Sequence, residues 1–222
     1  MKLHHPHPWN LKPQEATQLQ KELRTYMEIR PLMDDDIHWV AGVDVGFPRG
    51  SGTARAAIAV LDFPSLQLAD QTTAELPTPF PYIPGLLSFR EIPVILAAME
   101  NLLVTPDVLM TDGHGMAHPR RFGLASHLGV LLDLPTIGCA KSVFIGEHET
   151  LPEARGSTRP LVDGGETIGM AVRTRDKVKP VYVSIGQYVD LSSAVRVVLA
   201  CGGGYRLPEP IRQADRLASD KG

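Results

Sequence analysis

The chain has 222 residues and a formal net charge of −3, with 43% hydrophobic and 21% charged residues. That length can bury a core without disulfides, and the balance argues against a collagenous, low-complexity or disordered chain. The overall charge offers no attraction to nucleic acid, so such a partner would need local basic patches. Cys139 and Cys201 are too far apart for a C-x-x-C pair, which argues against a disulfide framework or zinc knuckle and suits a reducing cytosol.

The start, Met1-Lys2-Leu3-His4-His5-Pro6-His7-Pro8, lacks the apolar stretch of a secretory signal. No apolar run approaches the roughly 18 residues of a membrane helix. A cytoplasmic protein with no membrane partner is expected. Residues 1–12 read as a mobile tail, with transition-metal binding by the histidines as the alternative. Residues 14–30 predict a helix stopped before Pro31. Residues 39–45 read as a buried strand, 56–63 as a second and 66–76 as a third, joined by short turns into a β-meander. The stretch 77–84 carries Pro77, Pro79, Pro81 and Pro84 and cannot be regular structure.

Further along, residues 91–103 have helical spacing and 108–112 form a short strand. Residues 122–132 predict a helix, and 136–138 a strand shortly before Lys141. Residues 146–166 are polar and rich in Gly and Pro, and read as an excursion loop. Residues 168–173 and 181–185 predict a strand pair, 191–199 a helix, Gly202-Gly203-Gly204 a break and 210–218 a last helix. Three antiparallel strands followed by alternating helices and strands imply one α/β domain over 1–222, a mixed sheet with helices on its faces. Sites in such sheets gather at strand ends.

Asp44 and Asp112 each close an apolar strand, and Glu91 lies near the start of the intervening helix. On neighbouring strands the three carboxylates would converge, and they would repel one another without a cation. An all-oxygen set suits Mg²⁺ or Mn²⁺ rather than Zn²⁺, the chemistry of phosphodiester hydrolysis. Taken singly, Asp44 and Asp112 also fit turns, and Ser88-Phe89-Arg90-Glu91 fits a capping box. His114 and His118 are four apart, but the neighbouring glycines and Pro119 oppose a zinc-binding helix. Arg120 and Arg121 read as a phosphate clamp or a solvated loop face. Tyr82, held among prolines, reads as a wedge for a base stack or as a ring packed at the core edge. Lys141 reads as a stabiliser of negative charge near the carboxylates or as a plain exposed lysine. Arg173, Arg175, Lys177 and Lys179 read as a basic hairpin for a nucleic-acid backbone or as a solvated turn.

Together these segments resemble the endonuclease V (deoxyinosine 3′ endonuclease) family, with its ribonuclease H-like fold. The likeness runs from Val40-Ala41-Gly42-Val43-Asp44-Val45-Gly46-Phe47 to Tyr205-Arg206-Leu207-Pro208-Glu209-Pro210. Its most specific parts are Pro81-Tyr82-Ile83-Pro84-Gly85-Leu86-Leu87-Ser88-Phe89-Arg90-Glu91 and Asp112-Gly113-His114-Gly115. The resemblance implies a Mg²⁺-dependent endonuclease, with Mn²⁺ able to substitute. It would hydrolyse the second phosphodiester bond 3′ to deoxyinosine, leaving 3′-OH and 5′-phosphate ends.

The resemblance also implies roles. Asp44, Glu91 and Asp112 would hold the metal, Asp215 reads as a further ligand or as a solvated helix residue, and Lys141 would act at the reacting phosphate. Tyr82 would be the wedge and His118 would lie near the separated strands, while Gly85, Leu87, Gly113, Gly123, Leu124 and Gly138 would form a base pocket. Hypoxanthine offers an O6 acceptor and an N1–H donor, the reverse of adenine, so fixed main-chain groups would discriminate between them. Gly186-Gln187 stands where members commonly carry Gly-His, which leaves the role of that position open. Inosine-containing RNA is the alternative substrate, and a lesion-binding protein without activity or a small-molecule phosphatase are the competing readings. A monomer is expected.

Overall fold

The structure is a computed structural model describing residues 2–48 and 50–219. Its centre is an eight-stranded sheet. The strands are β1 (Trp39–Gly46), β2 (Thr53–Asp62), β3 (Leu68–Pro77), β4 (Val108–Thr111), β5 (Thr136–Ala140), β6 (Thr158–Asp163), β7 (Glu166–Val172) and β8 (Val181–Ile185), in the order β3-β2-β1-β4-β5-β8-β7-β6. β1 to β3 form the expected antiparallel meander. β4 and β5 join β1 in parallel, and β8, β7 and β6 continue antiparallel.

Alternating side chains give the sheet two apolar faces. Ala41, Val43, Ile58 and Leu109 pack with Ile92 and Ile95 of α2 (Leu87–Met99) and with Leu128 of α3 (Leu124–Leu132). Val40, Val108, Met110 and Val183 face Val197 and Val198 of α4 (Leu191–Ala200) and Ile211 of α5 (Glu209–Ser219). A Cβ at Gly42 would lie 2.1 Å from the carbonyl of Pro210, so α5 rests directly on the β1 backbone. No helix among the described residues is long and apolar enough to cross a membrane.

Four local expectations change. The N-terminal segment expected as a tail lies on the body: His4 N–H donates to the Leu131 carbonyl, and Leu3 and Trp9 pack against the core beneath α2 and α3. The first helix, α1 (Pro13–Leu23), ends well before residue 30. Its continuation is captured by tertiary bonds, since Glu28 N–H donates to Gln187 and the Tyr26 carbonyl accepts from it. The segment 146–166 contains β6, a strand with Thr158, Arg159, Pro160 and Asp163 in six residues. It lies at the sheet edge, where polar residues and proline are tolerated. Finally, α2 starts at Leu87 and carries Pro93 in its interior. An interior proline costs about 3 kcal/mol, but burying Phe89, Ile92, Val94 and Ile95 contributes about 1.5–3 kcal/mol each and outweighs it.

Candidate active site

Strand register brings two of the three carboxylates together. Val43 and Thr111 are partners on parallel β1 and β4, and Asp112 N–H donates to the Val43 carbonyl at 3.3 Å. Asp44 and Asp112, one residue further on, therefore stand side by side. Glu91 comes from the second turn of α2 and is only 8% exposed. Ser88 does not cap this helix; the N-cap is Leu86, and the capping-box reading of Glu91 fails.

Asp44, Glu91 and Asp112 line one cavity of about 170 Å³, floored by Val43, Ile95 and Leu124. Burial, reinforced by the charges of Asp112 and Asp215, pushes the Asp44 carboxyl up to about 6. Burial, reinforced by Asp44 and Asp112, pushes Glu91 up to about 8. Among the described residues no group of three or more His, Cys, Asp or Glu side chains is close enough, as the side chains stand, to hold a metal ion. The donors that meet here are carboxylate oxygens destabilised by their own proximity, a set that fits a hard divalent ion with water completing its shell.

Lys141 follows β5, and its Nζ lies 2.5 Å from Asp112 Oδ2 and 3.8 Å from Asp215 Oδ1. Burial disfavours the ammonium, but its contacts with Asp112, Asp215 and Asp44 outweigh that and raise its affinity for the proton. Asp215 reaches this point because α5 crosses β1 at Gly42. Arg206 also holds Lys141, a function its motif did not reveal. Its guanidinium donates to the Lys141 carbonyl and, at 2.8 Å, to that of Pro180.

A second cavity of about 310 Å³ adjoins the first, and Asp112 and Leu124 line both. Gly85, Leu87, Gly113, His118 and Gly123 all line it, with Tyr82 at its rim, 71% exposed. Gly138 is not in the wall. A Cβ there would meet Gly115 N at 2.5 Å and Gly113 O at 2.7 Å, so this glycine lets β5 pass beneath the glycine loop. Gly123 has the same function from the other side, since its Cβ would lie 2.3 Å from His114 O. Ser88, His114 and Phe144 also line the cavity and had not been singled out as its walls. Phe144 is an aromatic three residues past Lys141, its ring centroid 6.0 Å from that of His114.

The basic residues nearby are structural. The Gly85 carbonyl accepts from Gln20 Nε2 at 3.0 Å, His118 Nε2 at 3.0 Å and Arg120 Nη2 at 2.5 Å. Since His118 Nδ1 accepts from the Arg120 amide at 3.2 Å, its proton sits on Nε2. Burial and the Arg120 charge lower His118 to about 4, so it is neutral at neutral pH and fixes the end of the Tyr82 loop. Arg121 is paired with Glu166 at 2.7 Å and Asp163 at 2.8 Å. Neither arginine stands free to clamp phosphate. Arg173 is likewise buried, donating to the carbonyls of Leu151, Pro152 and Val178; only Arg175, Lys177 and Lys179 of that hairpin are exposed. Gln187 lines neither cavity and is 3% exposed.

Residues 21–216 match the family model of endonuclease V. An endonuclease V of Trichormus variabilis is 52% identical over 100% of both chains. The crystal structure of endonuclease V from Streptomyces avermitilis superposes with a TM-score of 0.91 at 44% identity, covering 98% of this chain and 96% of that one. That of Ciona intestinalis, in complex with a 24mer DNA containing an inosine followed by a ribo-adenosine, superposes with a TM-score of 0.79 at 29% identity, covering 92% and 95%. The mixed sheet flanked by helices is thus the ribonuclease H-like arrangement expected from the sequence, and the chain belongs to the endonuclease V family.

Proposed function

We propose that this endonuclease takes a deaminated purine, flipped from its strand, into the 310 Å³ cavity and hydrolyses the strand beside it at the carboxylates. The observation that carries this is the sharing of Asp112 and Leu124 by the two cavities, which puts a base-sized hole next to a metal-type carboxylate set. A flipped nucleotide and its 3′ phosphates are covalently joined and need such neighbouring sites. Inosine pairs poorly, so extruding it costs less than extruding a normal base.

Membership of the family implies a divalent cation, and the oxygen-only donors suit Mg²⁺, with Mn²⁺ as a substitute. Asp44, Glu91 and Asp112 would hold it, with Asp215 as a further ligand. When bound, the ion supplies positive charge against the negative charge that develops on the reacting phosphate. The Lys141 ammonium, paired with Asp112 on a residue whose main-chain carbonyl is held by Arg206, adds a second positive charge there. Tyr82, projecting at the cavity rim, fills the gap left in the base stack. Glycine-loop main chain around Gly113 and Gly123, with Leu87 and Leu124, forms the walls that exclude water from the base.

The test is an end-labelled duplex with a single deoxyinosine, incubated with Mg²⁺ or EDTA. The expected product is a metal-dependent nick at the second phosphodiester 3′ to the lesion, lost in Asp44→Ala and Asp112→Ala. A shifted complex without a nick would make the chain a lesion-binding protein. Ciona endonuclease V was crystallised with a ribo-adenosine after its inosine, which favours a second reading, cleavage at inosine in RNA. The same assay on a ribo-substituted strand separates the two.

A further inference from the structure

The N-terminal segment reaches the base cavity through an unbroken chain of hydrogen bonds. His7 Nδ1 lies 3.0 Å from the Pro8 carbonyl, His7 Nε2 lies 2.8 Å from His127 Nε2, and His127 Nδ1 lies 3.0 Å from Ser88 Oγ. Each link has one direction. A carbonyl can only accept, so the His7 proton is on Nδ1 and its Nε2 is bare. His127 must then carry its proton on Nε2, to donate to His7, and its bare Nδ1 must accept from the Ser88 hydroxyl. Burial lowers the proton affinity of both imidazoles, keeping each neutral as this pattern requires. His127 is fully buried, with the rings of Phe89, Phe122 and Trp9 at 5.1, 5.3 and 5.8 Å. Those apolar neighbours offer its Nε2–H no acceptor in place of His7.

We propose that His7 is a positioning residue for substrate specificity, acting through His127 to commit the Ser88 proton away from the base cavity, so that Ser88 offers the cavity wall acceptor capacity only. The inference rests on the reading of that cavity as the hypoxanthine site. An accepting wall suits the N1–H of hypoxanthine and opposes the bare N1 of adenine. Without His7, His127 relaxes to the opposite tautomer, donates from Nδ1 to Ser88 Oγ and frees the hydroxyl proton to face the cavity as a donor. The docked N-terminus thereby sets the polarity of a group far from it in sequence.

The test uses the full chain labelled with ¹⁵N-histidine. Long-range ¹H–¹⁵N spectra at neutral pH are expected to show His7 protonated on Nδ1 and His127 on Nε2. His7→Ala is expected to move the His127 proton to Nδ1, whereas His7→Gln, whose side-chain carbonyl accepts, keeps it on Nε2. In competition binding, the preference for deoxyinosine over deoxyadenosine strands should fall several-fold in His7→Ala and recover in His7→Gln. In a Ser88→Ala background, His7→Ala should have no further effect on that preference. His127 protonated on Nδ1 in the unaltered protein, or a preference unchanged once the tautomer has switched, would overturn the proposal. Failure of the unaltered protein to select or cut inosine strands would count against the cavity's assignment, while the tautomers still decide whether the relay exists.

Discussion

The ammonium of Lys141 sits 2.5 Å from Oδ2 of Asp112. The contact joins the end of β5 to the end of β4 at the point where the two cavities meet. The lysine of this pair is 43% exposed, which limits what the contact adds to stability, and its value lies in positive charge at the reacting phosphate. Lys141→Met is expected to slow single-turnover cleavage by about 10²–10³-fold, the usual effect of losing one preorganised stabilising group. The melting temperature should barely move. A cleavage rate near that of the unaltered protein would remove Lys141 from the reaction.

The carboxylates make the protein's stability depend on pH in a direction opposite to that of a salt-bridged acid. Asp44 titrates at about 6 and Glu91 at about 8, whereas unfolded carboxyls titrate near 4. Between about pH 4 and about 8 the folded chain binds more protons than the unfolded chain. In EDTA these two groups therefore favour the folded state most below that window, and the contribution is lost as pH rises through it. A divalent ion competes with those protons, so the rise in melting temperature on adding Mg²⁺ should be larger at about pH 8 than at about pH 6. Glu91→Gln should flatten the EDTA profile in the upper half of the window. Thermal melts across that range check both, and a Mg²⁺ effect greatest at acid pH would contradict the ligand assignment.

Why some of this was legible in the sequence and some was not follows from the range of the interactions. Short apolar runs followed by a carboxylate mark Asp44 and Asp112 in the sequence, a local pattern, although β1 continues through Asp44 to Gly46. Their adjacency depends on β1 pairing with β4 in parallel, which no local pattern encodes. β6 was missed because an edge strand needs no apolar run. The docked N-terminus was missed because His7 and Trp9 are only half-buried, and by partners more than 75 residues away, among them Phe89 and His127. Arg120, Arg121 and Arg173 read equally as phosphate contacts or solvated side chains because sequence shows their charge but not the carbonyls and carboxylates that already occupy them.

Tyr82 is 71% exposed, at the rim of a cavity whose deeper walls include buried Ser88, His118 and Leu124. Its ring makes no contribution to the core, so Tyr82→Ala should leave the melting temperature unchanged. Stacking of a base on an aromatic ring is worth about 1–3 kcal/mol, and the variant should lose affinity for inosine duplexes by a corresponding factor. The loss should be smaller on single strands, where there is no neighbouring stack to hold open. Equal losses on both substrates would make Tyr82 a general strand contact rather than a wedge.

The sequence resemblance leads one to expect histidine where this chain has Gln187, and the surroundings of that residue suit either side chain. Its Oε1 accepts from Glu28 N–H at 2.9 Å and its Nε2 donates to the Tyr26 carbonyl at 3.2 Å, tying residues 26–28 to the end of β8. An amide and a neutral imidazole can both supply the donor and the acceptor used here. Gln187→Ala removes both and is expected to cost about 1–3 kcal/mol for each buried group left unpaired. Gln187→His should cost much less. Both variants should cut deoxyinosine duplexes at the normal rate well below their melting temperatures, because Gln187 touches neither cavity. Chemical denaturation alongside cleavage rates checks the two halves together, and a folded Gln187→Ala that no longer cuts would place this residue in the reaction after all.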